Sequence, residues 1–197
     1  MNIKEYEKVK NLTYLEYCDY LQTKYGIGLS DYMTKSWNKN NKVTRTKDGL
    51  LAHHKYEDRA IMLCNKEYAK NNPFEWQKAE NIIYCDYLEH LFLHILICEH
   101  PSCDKNLFED VGIGGVINFL VPELNDLYSG WKTDQEWRRI CHSKVIYDKD
   151  IYMELLKRFK KNKKYVDGML YTSFNDKFGI WPIENNTRLF VEIRDLK

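Results

Sequence analysis

Apolar residues recur at helical spacing near the beginning of the chain, at Leu15, Cys18, Leu21 and Tyr25. Thr13 followed by Glu16 is a capping-box pattern, in which each side chain accepts a hydrogen bond from the backbone N–H of the other residue. Gly26 follows the last apolar position and is the residue type that most often ends a helix. The pattern therefore predicts a helix from Tyr14 to Tyr25.

The middle of the chain predicts a strand, a long loop, a second strand and a helix. A polar and basic connection over residues 36–47 leads into a short strand that ends at LLAHH, residues 50–54. After a long polar insertion, the apolar run IIYC at residues 82–85 predicts the second strand. Asp86 with Glu89 is another capping-box pattern, so a helix is expected to begin there, and Pro101 limits it.

The last third of the chain carries weaker signals. Apolar residues at helical spacing predict a helix near residues 151–159. Leu189, Val191 and Ile193 alternate with charged residues, which predicts a final strand near residues 188–194. The segment GIGG at residues 112–115 lacks the Lys-Ser/Thr of a phosphate-binding loop and is expected to be a turn or a helix irregularity.

These elements predict an α+β protein in three successive segments. Residues 1–42 form a helical N-terminal segment, residues 43–100 form a strand–strand–helix core, and residues 101–197 form a mixed C-terminal extension. The chain has 197 residues with 44% hydrophobic and 30% charged residues, which suits a folded globular protein and leaves no room for a second full enzyme domain.

The charges near the beginning of the chain and the cysteine pattern indicate the cellular compartment. The charged start MNIKEYEKVK does not resemble a signal peptide, and the apolar run LFLHILIC is too short to span a bilayer. The six cysteines form no CxxC pair, which is typical of reduced intracellular thiols. We therefore expect a cytoplasmic protein without membrane contact.

The net charge of +1 conceals two basic clusters. The first contains Lys35, Lys39, Lys42, Arg45 and Lys47, and the second contains Lys157, Arg158, Lys160, Lys161, Lys163 and Lys164. Such clusters are often only solvated surfaces, but they can also neutralise nucleic-acid phosphates. Both interpretations remain open on sequence alone.

Four of the six histidines fall in two short motifs. His90 and His94 lie one turn apart on the predicted helix, where they can share a metal ion or be two hydrogen-bonded core residues. His53 and His54 end the first strand. Neighbouring side chains of a regular strand point to opposite faces, so both can serve one site only if the strand twists or ends there.

The order HH, then NIIYC beginning at Asn81, then EHLFLH resembles the signature of histidine-asparagine-histidine (HNH) nucleases. The resemblance covers residues 49–98 and includes the nine-residue step from Asn81 to His90 and the HxxxH that follows. It is similar both to the nuclease-colicin form and to the phage and mobile-element form. The departure is a longer loop, residues 55–80, between the strands.

The resemblance implies a ββα-metal fold and a role for each motif residue. His53, His90 and His94 would bind one divalent metal ion, Mg²⁺, Mn²⁺, Ni²⁺ or Zn²⁺. His54 would be the general base that activates water. Asn81 would hold the loop between the strands so that His54 is correctly turned.

The implied reaction is hydrolysis of phosphodiester bonds, with double-stranded DNA as the expected substrate and a dimer possible if both strands are cut. A divalent metal offsets charge in the transition state, and neutral imidazole can take a proton from water near pH 7. Arg59, Glu57 and Asp58 could contact phosphate, orient His54, or form only a charged loop.

Three alternatives remain at this stage. A structural zinc site could use Cys98 and His100, although Cys98 and Cys103 are poorly spaced for a closed site. A nucleic-acid-binding module without catalytic activity could use the histidines only to brace its fold. An RNA-cutting toxin could use the same metal chemistry.

Overall fold

A computed structural model describes residues 1–175 and 183–196. Two strands form one antiparallel sheet: β1, Leu51–His54, and β2, Ile82–Cys85. The helices are α1 Ile3–Val9, α2 Tyr14–Tyr25, α3 Lys66–Ala69, α4 Tyr87–Glu99, α5 Ile113–Gly115, α6 Val121–Tyr128, α7 Glu136–Ser143, α8 Lys149–Lys160 and α9 Ile183–Arg194. A π-helical turn, Val116–Leu120, joins α5 to α6.

Helices α2 and α4 begin where the sequence predicts them, because both capping boxes form. The Thr13 side chain accepts from the backbone of Glu16, whose carboxylate accepts from the Thr13 backbone at 2.8 Å. Asp86 and Glu89 pair in the same way at 2.8 and 2.7 Å. The predicted helix at residues 151–159 is confirmed as the central part of α8.

The two predicted strands pair antiparallel, with His53 opposite Ile83 and His54 opposite Ile82. A two-stranded ribbon is marginal by itself, so its stability depends on packing against helices. Ile83 and Cys85 of β2 are fully buried in the main hydrophobic cluster, which also contains buried residues of α2 and α4. This packing presents one face of β1 to α4.

Helix α4 lies at the centre of the core. Every residue from Tyr87 to Cys98 except His90 is buried. The surrounding cluster takes members from all three sequence segments, between Met1 and Ile193. A helix that is apolar on all sides is stable only when it is enclosed on all sides, and the N- and C-terminal segments together provide that enclosure.

The predicted strand at residues 188–194 is wrong, because the segment belongs to α9. Leu189 and Ile193 are four residues apart and both 1% exposed, whereas Val191 is 40% exposed. A short alternation of apolar and charged residues is compatible with the two-residue period of a strand and with the 3.6-residue period of a helix. Here the segment is helical, because a helix buries Leu189 and Ile193 on one face. The segment at residues 112–115, by contrast, does lie in an irregular helix, as the sequence predicts.

Much of the second basic cluster is engaged within the fold. Arg158 forms a two-point ion pair with Glu99, with both contacts at 2.7 Å. Lys160 donates to the backbone carbonyl of Leu196 at 2.7 Å, and Lys164 pairs with Asp110. These contacts connect α8 to neighbouring segments, so part of the cluster has a structural role.

In the described ranges, no helix has both the length and the apolar character that crossing a bilayer requires.

Candidate metal centre

The end of β1 and one face of α4 bring three imidazoles to a single point. His53 Nδ1 lies 3.1 Å from His90 Nε2, and His90 Nε2 lies 3.2 Å from His94 Nε2. His53 faces α4 because the pleat of β1 turns it inward, and the helical period places His90 and His94 on the same side. These are the three residues for which the HNH resemblance implies metal binding.

Glu57 is the fourth member of the group. Its Oε2 lies 3.5 Å from His53 Nδ1 and 3.4 Å from His94 Nε2. Glu57 stands in the turn after β1, where its backbone N–H bonds to the His54 carbonyl at 3.0 Å. From the sequence, Glu57 could contact phosphate, orient His54 or belong only to a charged loop. It is not expected among the metal ligands, since no periodic pattern shows that the turn folds back onto the strand.

The spacing of the four donor atoms suits a small divalent cation. All four lie within 4.8 Å of one another, and four of the six separations run from 3.1 to 3.5 Å. A tetrahedral ion with bonds of about 2.0–2.1 Å would separate its donors by about 3.3–3.4 Å. The group could therefore hold one metal ion, a conclusion that rests on the donor set of His53, Glu57, His90 and His94.

Hydrogen bonds behind His53 leave the correct ring nitrogen available. The Tyr14 hydroxyl donates to the Lys55 carbonyl at 2.9 Å, so its oxygen accepts from His53 Nε2, also at 2.9 Å. Nδ1 of a neutral His53 then carries the lone pair and faces His90. A partner that fixes the tautomer in this way is the usual support of a metal-binding histidine.

Burial keeps the imidazoles neutral. Burial lowers the pKa of His53 to about 3, although Glu57 opposes the shift. Burial also lowers the pKa of His90 and of His94. The neighbouring His94 and His53 lower the pKa of His90 further. Burial alone would raise the pKa of Glu57, but the imidazoles around it hold that pKa below its ordinary value. Near pH 7 the group consists of three neutral bases and one carboxylate.

His54 lies on the other face of β1, outside this group. It is fully buried; its Nε2 donates to Gln77 Oε1 at 3.1 Å, and its ring lies 4.3 Å from that of Tyr32. Gln77 is oriented by its own bond to the Leu63 carbonyl at 3.1 Å. His54 Nδ1 lies 3.4 Å from Glu57 Oε1, so Glu57 stands between His54 and the three imidazoles.

Asn81 also lies outside the group, in a short 3-10 turn directly before β2. Its side-chain amide donates to the Glu75 carbonyl at 2.8 Å, and its backbone carbonyl accepts from Lys55 N–H at 2.8 Å. Asn81 therefore ties the end of the long loop to the residue that follows His54. The placement agrees with a bracing residue and does not bring its side chain to the donor atoms.

Two cavities meet beside the centre, and His90 lines both. The larger, of about 510 Å³, is also bordered by Glu57 and His94 and by Phe119, Trp137 and Phe174. The smaller, of about 440 Å³, is bordered by Lys39 and Arg45 of the first basic cluster. His53 and His54 line neither cavity, so the centre opens to its surroundings through His90, His94 and Glu57.

The wall of the larger cavity approaches the centre closely. A Cβ atom added to Gly115 would overlap the His94 ring, so only glycine permits this contact. Met62, another lining residue, has φ 55°, a left-handed conformation that costs a non-glycine residue about 1–3 kcal/mol. Strain of this kind concentrates where the surrounding structure holds a site in a fixed shape.

The residues of the alternative zinc site lie apart from this group. Cys98 and His100 follow His94 along α4, but neither belongs to the four-residue donor set. Cys98 is buried and His100 is exposed, and all six cysteines are free thiols. The histidines and Glu57 form a set without thiolate.

Comparisons with protein-family models, with curated proteins and with solved structures found no match. The likeness to HNH nucleases therefore depends on the motif residues and on their arrangement.

Proposed function

We propose that this protein is a metal-dependent endonuclease of the HNH type, which hydrolyses phosphodiester bonds of nucleic acid, with double-stranded DNA as the substrate. One observation carries the proposal: His53 from a strand end and His90 and His94 from the following helix converge at a point that borders an open cavity. The order of strand, strand and helix is the one that the motif implies.

His53, His90 and His94 would hold the metal ion, and Glu57 would stand beside it as a proton acceptor and not as a closing fourth ligand. A bound divalent ion would offset negative charge on the phosphate and on the leaving oxygen. Neutral imidazoles do not reduce the charge of the ion, and the single carboxylate of Glu57 reduces it only in part. The buried surroundings of His53 exclude water from the rear of the site.

Glu57 and His54 form a route for the proton of the attacking water. Glu57 borders the larger cavity, and its Oε1 lies 3.4 Å from His54 Nδ1. Because His54 Nε2 donates to Gln77, the Nδ1 atom of a neutral His54 is the atom that can accept a proton. We propose that Glu57 takes the proton from the attacking water and passes it to His54 Nδ1, so that His54 acts as the general base through Glu57, and that Asn81 braces the loop.

We also propose how the protein contacts nucleic acid, where in the cell it acts and in which oligomeric state. Lys39 and Arg45 at the smaller cavity would contact phosphates, as would the exposed Lys161 and Lys163 of the second basic cluster. A cytoplasmic location, and a dimer if both strands are cut, complete the proposal.

A structural metal site in a non-catalytic nucleic-acid-binding module is the second candidate. The observation that favours it is Glu57, because four protein donors can close a tetrahedral ion completely. In that case the ion would stabilise the fold and have no position for phosphate or water.

The test is plasmid cleavage with Mg²⁺, Mn²⁺, Ni²⁺ or Zn²⁺, together with metal content. His53→Ala should lose metal and cleavage together, whereas His54→Ala should keep the metal and lose about 100-fold or more in rate. The exposed His100 gives the control His100→Ala, which should match the wild type.

Plasmid that is shifted in a gel but never cut would favour the structural site. A wild-type protein that cuts RNA but not the plasmid would replace DNA with RNA as substrate. Normal cleavage by His54→Ala, or loss of metal from it, would contradict the role assigned to His54.

A further inference from the structure

The larger cavity beside the metal centre has the lining of a nucleobase site. We infer that the nucleotide next to the cleaved phosphate is turned out of its stack and that its base enters this cavity, against Phe119 and Trp137. This inference rests on the proposed function and specifies how the substrate strand is held. It assigns a role to the irregular helix after the GIGG segment, which the metal chemistry does not use.

The two cavities differ in the charge of their lining residues, and the two parts of a nucleotide, its negative phosphate and its uncharged base, differ in charge too. Among the described residues, the lining of the smaller cavity includes Lys39 and Arg45 and no carboxyl group. The lining of the larger cavity, within the same described ranges, includes Glu57, Asp110 and Glu123 and neither lysine nor arginine. A phosphate beyond the metal centre therefore finds lysine and arginine on the side of the smaller cavity, and the larger cavity away from the metal is left for an uncharged group.

The walls of the larger cavity supply flat apolar surfaces. Phe119 is 53% exposed, Trp137 is 42% exposed and Phe174 is 38% exposed, yet all three line the cavity. Three large aromatic rings half open to solvent beside one cavity are costly unless a ligand covers them. Base–aromatic stacking is the interaction that such rings offer to any of the four bases.

The polar groups of the same wall suit the edge of a base. Asn118 neighbours Phe119 on the π-helical turn and lines the cavity, and its exposed amide can both donate and accept. Single π-helical turns within α-helices are frequent at functional sites, because the extra residue redirects side chains. Here the turn directs Asn118 and Phe119 to the space beside His94.

The cavity has room for this occupant. Its volume of about 510 Å³ lies in the range of about 300–1,000 Å³ that is usual for small-molecule sites, and a base with its sugar is a ligand of that scale. His90 and Trp137 line both cavities, so a strand that crosses His90 can place phosphate on one side and base on the other. A base that is stacked inside a duplex cannot insert between the walls of this cavity, so it must leave the stack.

The experiment compares two probes on the metal-loaded protein by calorimetry at several salt concentrations. One probe is an eight-nucleotide single-stranded phosphorothioate DNA, and the other has the same backbone without bases. The wild type should bind the base-bearing probe about 5- to 150-fold more tightly, the range that one stacked base supplies. Phe119→Ala and Trp137→Ala should each lower this ratio towards one and leave the salt dependence unchanged.

Matched controls separate base binding from charge and from loss of structure. Phe108 is fully exposed and lines neither cavity, so Phe108→Ala should keep the wild-type ratio. Lys39→Gln should weaken binding of both probes equally and reduce the salt slope by about 0.7, whereas replacement of the exposed Lys66 by Gln should change neither quantity. Retained metal content shows that each variant is folded at the centre.

A wild-type ratio near one, or an unchanged ratio in both Phe119→Ala and Trp137→Ala, would overturn the inference. Cleavage of plasmid by a protein that shows no preference for the base-bearing probe would contradict the base site and leave the proposed function standing. Base preference without cleavage by any metal would remove the proposed function and leave the base site standing.

Discussion

The cluster around the buried carboxylate Glu123 and the histidine group around His53 both border the larger cavity, but their polar atoms are satisfied in different ways. In the first, Glu123 accepts from His142 Nε2 at 2.6 Å and from Arg138 Nε at 3.0 Å, with a further bond from the same guanidinium. In the second, the donor atoms of His53, His90 and His94 face one another at 3.1 and 3.2 Å. Both clusters contain a carboxylate, and only the first contains a permanent cation.

The polar atoms around Glu123 are fully paired within the protein, whereas the group of His53, His90 and His94 would be completed by a bound cation. Burial would raise the pKa of Glu123, but His142 and Arg138 hold it below its ordinary value, so the carboxylate stays charged and fully paired. In the group around His53, the one ring atom His90 Nε2 faces both His53 Nδ1 and His94 Nε2, and a single proton can complete only one of these two contacts. A metal ion would satisfy all three nitrogens, whereas Glu123 already has its partners within the protein.

The largest effect is expected for His90→Ala, which removes the donor that lies between the other two histidines. Metal affinity should fall by more than about 100-fold, because loss of a direct ligand exceeds the effect of losing a supporting residue. Elemental analysis and competition with a chelator would measure the loss.

His142→Ala is the matched change in the complete cluster. It should leave metal content unchanged and lower the free energy of unfolding by about 1.5–3 kcal/mol, the contribution of a hydrogen bond to a charged group. Equal metal loss in the two variants would show that the surroundings of Glu123 also support metal binding.

The next effect is expected for Gly115→Ala, since the added methyl group would displace the His94 ring. His94 would then leave the point where the three donors converge, and metal affinity should fall by at least about 10-fold. Gly114→Ala is the control, because its new Cβ would meet only the Asn118 amide nitrogen, at 3.7 Å. Equal affinities in the two variants would mean that the ring moves aside without loss of the ligand.

A smaller effect is expected for Tyr14→Phe, which removes the hydroxyl that accepts from His53 Nε2. Without that partner the ring tautomer is no longer fixed, and metal affinity should fall by about 10-fold. Tyr20→Phe on the same helix removes a bond to Glu5 instead and should bind metal normally. Titration of metal-free protein with Zn²⁺ would compare the two variants, and an unchanged affinity in Tyr14→Phe would exclude the supporting role.

Near pH 7 the smallest effect is expected from a change of pH on the metal-free protein, and it grows only as the solution becomes acidic. Burial lowers the pKa of His53 from 6.5 to about 3, so between these values the unfolded chain binds a proton that the folded chain does not. Stability should therefore be constant above about pH 7 and fall as the pH is lowered through 6.5 towards 3. Denaturant unfolding at several pH values would measure the slope.

Asp126 changes the pH dependence of stability in the opposite direction. Burial raises its pKa from 3.8 to about 6, so between these pH values the folded chain binds a proton that the unfolded chain does not. His53→Gln should flatten the acid loss of stability, and Asp126→Asn should steepen it. Identical slopes in the wild type and His53→Gln would show that His53 titrates alike in the folded and unfolded chains.

The sequence by itself determined the local elements that carry the centre. Two capping boxes set the beginnings of α2 and α4, and the short apolar runs identified β1 and β2. Such signals depend on neighbours within a few residues, so they can be read without the fold. The same locality explains the error at α9, where the burial of Leu189 and Ile193 depends on distant packing and overrides the alternation.

Only the tertiary structure decided which side chains meet. The strand pleat separates His53 from His54, and a turn brings Glu57 between them, which no spacing in the chain indicates. Residues 112–120 reach the centre because Gly115 lies against His94 across a gap of twenty residues in the sequence. Spacing fixes partners within one helix or one turn, whereas contacts between elements depend on how each buries its apolar face.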